Sequence, residues 1–275
     1  MGWRTAIQLA ETSRKCLLEN SIDRATLGRM SEVFVELFIA SHAKPPKQIV
    51  LDFDATDDPV HGQQEGRFFH GYYDRYCFLP LYVFCGDQLL AAYLRPANRD
   101  PARHSRAILK LLVTRLRQVW PKVQILFRGD SGFCRAKLLR WCERNGVDYI
   151  VGLARNSRLQ RRIEPWMQQA REQFDETGSK QRIFGEFPYA AGTWQRPRRV
   201  LAKAEWSGRG ENPRFVVTSL AGDPQELYEQ LYCQRGDMEN RIKEQQLDLF
   251  ADRTSCHAFL ANQFRLLLSS AAYVL

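Results

Sequence analysis

At residue 49 the apolar pattern of the chain changes period. Residues 5 to 43 carry apolar side chains at helical spacing, as in "LGRMSEVFVELFIASHA", and "KPPKQ" closes that run because proline cannot continue a helix. In "IVLDFDATDDPVHG", residues 49 to 62, the period is two: Ile49, Leu51 and Phe53 fall on one face of a strand, Val50, Asp52 and Asp54 on the other. Four aspartates, Asp52, Asp54, Asp57 and Asp58, crowd its end in a chain of formal net charge +9. Aspartate caps turns, so a strand end would account for them if the stretch stood alone.

The elements that follow predict a sheet. "YCFLPLYVFCGDQLLAAYLRP" reads as two strands hinged at Gly86-Asp87, residues 101 to 119 as a helix, and "VQILFRGDSGF" as a buried strand ending at Gly129. A helix over 135 to 145 ends at Asn145-Gly146 in the manner of a glycine cap, and "DYIVGLA" supplies a further strand. This order implies a mixed sheet flanked by helices. After Arg155 a basic helical run to about 176 precedes three strand-like pieces, "RIFGEFPYA", "RRVLAKAEW" and "RFVVTSL", which predict a β-rich insertion at about 156 to 222. Helical spacing returns after Asp223, a candidate N-cap with Pro224 at the first helical position.

The excess of Lys and Arg suits a polyanionic partner, nucleic acid before an anionic membrane surface. Seven cysteines with no C-x-x-C pair fit buried thiols in a reducing cytoplasm better than a zinc site or a disulfide framework. The tail "FLANQFRLLLSSAAYVL" is interrupted by Arg265 and reads as a buried helix, not a membrane span. A chain that stops inside such a run is also read as a candidate truncated copy of something longer.

Three carboxylates occupy telling places: Asp54 on the first strand, Asp130 just past the strand that ends at Gly129, and Glu239 on the helix after the insertion. If those two strands are neighbours, Asp54 and Asp130 meet at one edge. Clustered carboxylates repel one another unless a cation neutralises them, and Mg²⁺ takes a few carboxylates together with phosphate oxygens. Tyr232, Arg235 and Glu239 lie at i, i+3 and i+7 of one helix, a stripe that Lys243 and Gln246 continue. It reads either as a phosphate-holding row beside a metal ligand or as an exposed face with ordinary ion pairs.

"LDFDATDDPVHGQQEG", "RGDSGFCRAKLLRWCERNGVDYIVGLARN" and "YCQRGDMENRIKEQQLDLFADRTS", in that order, resemble a DDE transposase of bacterial insertion sequences. The resemblance runs from about residue 20 to the end and implies a ribonuclease-H-like α/β core split by a β-strand insertion before the last catalytic acid. The domains it suggests are a helical lead-in, 1–45, and a catalytic domain, 46–275. It implies Asp54, Asp130 and Glu239 as the metal-holding catalytic acids, with Asp52 in reserve for the first, and Tyr232 and Arg235 as DNA contacts. Gln246 stands where the group carries a Lys, so Lys243 one turn earlier is the candidate for that phosphate contact. Mg²⁺, with Mn²⁺ as substitute, DNA ends and target as partners, and a homodimer holding two ends are further implications.

Elsewhere, "TWQRPRR" sets Trp194 beside Arg198 and Arg199, readable as base stacking with phosphate contact or as the core of the insertion and a solvated turn. "ARNSRLQRR", 154 to 162, is a DNA-backbone candidate or a solvated helix face. The histidines show no ligand spacing; His61 beside the acidic turn is a candidate phosphate or water contact. The expected activity is metal-dependent cleavage at element ends followed by strand transfer, in the bacterial cytoplasm at the nucleoid. The rivals are a metal-dependent nuclease without strand transfer and a truncated, inactive DNA-binding copy.

Overall fold

The computed structural model describes residues 21–275; the expected helical lead-in before Ser21 lies outside the described residues. The chain divides into two compact units. One takes in the described residues up to Pro45, Asp54–Arg103 and Met238–Leu275, the other Pro46–Phe53 and His104–Asp237.

The second unit is built on parallel strands. β1 (Gln48–Ala55) pairs with β7 (Gln124–Gly129), which pairs with β8 (Asp148–Leu153). Parallel neighbours need a crossover, and α2 (Ser105–Val119) and α3 (Ala136–Arg144) lead into β7 and β8. The Asn145-Gly146 stop is as expected: α3 ends there and Gly146 takes φ +57. The insertion's strands do not close on themselves. β12 (Arg214–Thr218) pairs antiparallel with β8, β10 (Arg198–Ser207) with β12, and β9 (Gln181–Tyr189) and the short β11 (Gly210–Glu211) with β10. They extend the edge of the parallel strands, giving a mixed α/β sheet flanked by helices. α4 (Ser157–Thr177), capped by the Asn156 side chain, covers β9 and β10 with Leu159, Ile163, Met167 and Ala170 buried.

On β1 the face with Ile49, Leu51 and Phe53 is buried, as the alternation predicts. The other face holds the decisive feature. Asp52 stands opposite Arg128 in the register, and both are buried. Arg128 Nε donates to Asp52 Oδ1 at 2.5 Å and Nη2 to Oδ2 at 2.7 Å, a two-pronged pair, while Nη1 donates to the Leu231 carbonyl. Burial pushes the Asp52 carboxyl up, and Arg128 opposes it. Asp52, expected as a reserve catalytic acid, is therefore committed to Arg128.

The first unit joins α1 (Arg24–Ala40), the hairpin of β5 (Leu81–Cys85) and β6 (Gln88–Tyr93), and α6 (Phe259–Val274). Gln263 on α6 satisfies the edge of β6: its Oε1 accepts from Leu94 N at 2.6 Å and its Nε2 donates to the Ala92 carbonyl. The predicted tail helix is thus a packed one, and among the described residues no helix is long and apolar enough to cross a membrane. Residues 58 to 78 contain a small sheet of β2 (Asp58–Pro59), β4 (Arg75–Phe78) and β3 (Phe68–His70). Its strands are too short to show a period.

Removing one member of a buried pair leaves an unpaired charge, which costs about 3–5 kcal/mol, whereas replacing both with apolar groups is often neutral. Asp52→Asn or Arg128→Met is expected to lower unfolding free energy by about that amount, and the double variant Asp52→Leu/Arg128→Met to recover most of it, read by denaturant titration. Equal, additive losses would show that the pair contributes nothing as a pair.

Candidate active site

Phe53 pairs with Gly129, so Asp54 and Asp130 each follow the last paired residue of two adjacent parallel strands. One step back on the same faces lies the Asp52–Arg128 pair. Asp54 accepts from Ala55 N at 2.8 Å and is half-buried. Asp130, also half-buried, caps the single turn Ser131–Phe133 by accepting from Gly132 N at 2.8 Å.

Within the second unit, Asp130 has aromatic and cationic company. The helical run that opens at Pro224, with Asp223 as its N-cap, is not one α-helix: Leu227–Tyr232 is π-helical and Cys233–Arg235 is a 3₁₀ turn before α5 (Gly236–Asp248). A 3₁₀ turn eclipses residues three apart, and here it lines Tyr232 up with Arg235, whose guanidinium hydrogen-bonds the Tyr232 hydroxyl. Burial pushes that hydroxyl's pKa up; Arg235 opposes the shift and Asp130 adds to it. π-Helical segments are frequent at functional sites, and this one was not legible as such from helical spacing.

Gly152 on β8 makes room for the cluster. A Cβ there would lie 2.6 Å from the Tyr232 hydroxyl and 2.8 Å from the Ser131 backbone nitrogen. Arg128 fixes the same corner from below through the Leu231 carbonyl, one residue before Tyr232.

In the first unit, Glu239 and Lys243 are exposed on α5. Gln246, at the position where a lysine was expected, donates from Nε2 to the Asp57 carbonyl at 3.0 Å and so holds the loop that follows Asp54. Asp58 is buried; Thr254 Oγ1 donates to its Oδ2 at 2.8 Å, and its Oδ1 has no partner among the described residues. Gln64 Nε2 reaches the Thr254 carbonyl, and Glu65 N the His257 carbonyl. Burial pushes the Asp58 carboxyl up to about 8, with Asp252 and Asp57 adding to the effect and Thr254 opposing it.

The "TWQRPRR" residues have structural duties. Trp194 is buried against Tyr189, at 5.8 Å between ring centroids, which is the core reading. Arg198 Nε donates to Glu143 Oε1 at 2.7 Å and stacks over Trp194, while Arg199 pairs with Glu186 and the Leu220 and Gly222 carbonyls. His61 is exposed. Among the described residues no three carboxylate, imidazole or thiol groups gather as a metal cluster. The carboxylate oxygens of Asp54, Asp130 and Glu239 are nonetheless the donor chemistry of a hard divalent cation.

The profile of the family described as "Transposase DDE domain group 1" matches residues 2–275. The chain belongs to that transposase family. Among solved structures, this transposase domain is similar to piggyBac transposase, solved by cryo-EM in a synaptic complex with hairpin DNA, at 10% identity and a TM-score of 0.46. The match covers 84% of this chain and 47% of that one, so the transposase chain spans about half the length of its structural neighbour. No curated protein matches it.

Two outcomes are expected from this geometry. Gly152→Ala must displace the Asp130 turn or Tyr232, costing about 1–3 kcal/mol of stability, while Gly208→Ala, with nothing within 4 Å of its Cβ, is nearly neutral; thermal unfolding of both compares them. For Asp58, the folded chain holds the proton to about pH 8, whereas an unfolded aspartate loses it near 3.9. Its stabilising share is therefore complete below about pH 4 and lost as pH rises through 8. The Tm advantage of the parent over Asp58→Asn should shrink across that window by at least about 2–4 °C, the equivalent of ~1 kcal/mol for a chain of this size.

Proposed function

We propose that this transposase domain cleaves phosphodiester bonds at the ends of an insertion sequence and joins the freed 3′-hydroxyl to target DNA. Asp54, Asp130 and Glu239 are the residues that would hold Mg²⁺, or Mn²⁺ in its place. The bound cation supplies Lewis acidity for the attacking and leaving oxygens of the displacement. The observation that carries the reading is the register: two aspartates follow paired residues at the same end of adjacent parallel strands, in a chain of this family.

The remaining roles fall to residues that hold phosphate. Arg235, set in line with Tyr232, and the exposed Lys243 would hold the DNA backbone, while the half-buried Tyr232 hydroxyl would fix the direction of the Arg235 fork. The Asp52–Arg128 pair occupies one acid of the strand, and Asp54 is the one that would meet the cation. Two copies of the chain would each hold one end, at the bacterial nucleoid.

Nicking of supercoiled plasmid in Mg²⁺ or Mn²⁺ is the test. Asp54→Ala, Asp130→Ala and Glu239→Ala should each lose at least about a hundredfold, beyond the 10–100-fold cost typical of second-shell partners. Activity that survives Asp130→Ala would refute the shared metal site. With paired element ends and a target plasmid, joined products separate a transposase from a nuclease; a folded, DNA-binding parent without cleavage would instead be a binding copy.

A further inference from the structure

A second basic surface lies in the insertion, within the second unit. Arg158, Arg161 and Arg162 of α4, all exposed, line an open groove of about 460 Å³ with Phe187, Pro188, Tyr189 and Ala190 from the end of β9. The Arg158 guanidinium carbon stands 5.5 Å from the Tyr189 ring centroid, and that of Arg162 stands 5.5 Å from the centroid of Phe187. The rings are themselves fixed from behind. Tyr189 packs on buried Trp194 and accepts from Asn156 Nδ2 at 3.3 Å, and Phe187 packs on Trp166 at 6.1 Å.

The charge pattern around the groove is selective. Arg182, Arg196, Arg198 and Arg199 are each paired with a glutamate, whereas among the described residues no acidic side chain lines the groove. Stacking a guanidinium on a held ring removes conformational freedom before a ligand arrives, and Arg presents a planar fork suited to phosphate oxygens. Arg158 and Arg162 are four residues apart, about 6 Å along the helix axis, a spacing comparable to one phosphate step of an extended strand.

We infer that this groove is a preordered binding site for the DNA sugar-phosphate backbone, taking adjacent phosphates on Arg158 and Arg162 with Arg161 between them. The aromatic rings brace the cations instead of reading bases, so the site adds affinity without sequence preference. This rests on the reading of DNA as substrate and adds an anchor outside the acidic site.

The test is the salt dependence of binding of the full chain to a labelled mixed-sequence duplex, followed by fluorescence anisotropy. Loss of two phosphate contacts at about 0.9 each should reduce the slope of log K against log salt by about 1.8 in Arg158→Ala/Arg162→Ala. The control pair Lys137→Ala/Arg209→Ala removes the same charge from exposed positions outside the groove and should change the slope by less than half as much. Tyr189→Leu, which leaves the charge intact, should weaken binding several-fold. An unmoved slope in the groove variant, or an equal change in the control, overturns the groove while leaving the transposase reading intact. A parent that binds no DNA overturns both, and arginine-dependent binding to anionic vesicles with an unchanged DNA slope assigns the groove to lipid and overturns it for DNA.

Discussion

The pair between Asp52 and Arg128 is the interaction on which the second unit depends. It joins facing residues of neighbouring parallel strands, so a slip of one residue would break it and turn every side chain of β1 to the wrong face. Two charges removed from water are costly unless both are satisfied; here both carboxylate oxygens and the remaining guanidinium nitrogen have partners, the last being the Leu231 carbonyl. The same group therefore fixes strand register and the approach of the helical run that carries Tyr232 and Arg235.

The first unit solves a different problem. The loop after Asp54 carries more acid than water-filled turns require, and it is tied down by neutral partners: Gln246 to the Asp57 carbonyl, Thr254 to Asp58, and Gln64 to the Thr254 carbonyl. Burial beside Asp57 and Asp252 favours the protonated form of Asp58. Of the acids that made the stretch conspicuous, Asp52 is paired with Arg128 and Asp57 with Arg75, burial raises the pKa of Asp58, and Asp54 stands among them in sequence.

Much of this was legible in advance. The period-two stretch at 49 to 54, the strand ending at Gly129, the glycine stop at Gly146 and the three strands of the insertion appear where spacing and turn residues predicted them. The small sheet of residues 58 to 78 was missed because two- to four-residue strands leave no periodic trace. The π-helical stretch before Arg235 was missed because one extra residue per turn does not alter which residue types suit a helix. Trp194, Arg198 and Arg199 had suggested both a DNA contact and a core, since adjacency in sequence says nothing about Glu143 and Glu186, the partners that hold the two arginines.

The sequence by itself determined the class of the fold and pointed to three candidate acids, because hydrophobic period and motif order are local properties. Tertiary structure decided which aspartate is spent on Arg128, which arginines are paired with glutamates, and which three line an open groove over aromatic rings. Those outcomes depend on charges far apart in the chain meeting in a low-dielectric interior, where an unmatched charge is expensive and a matched one is no longer available to bind a ligand.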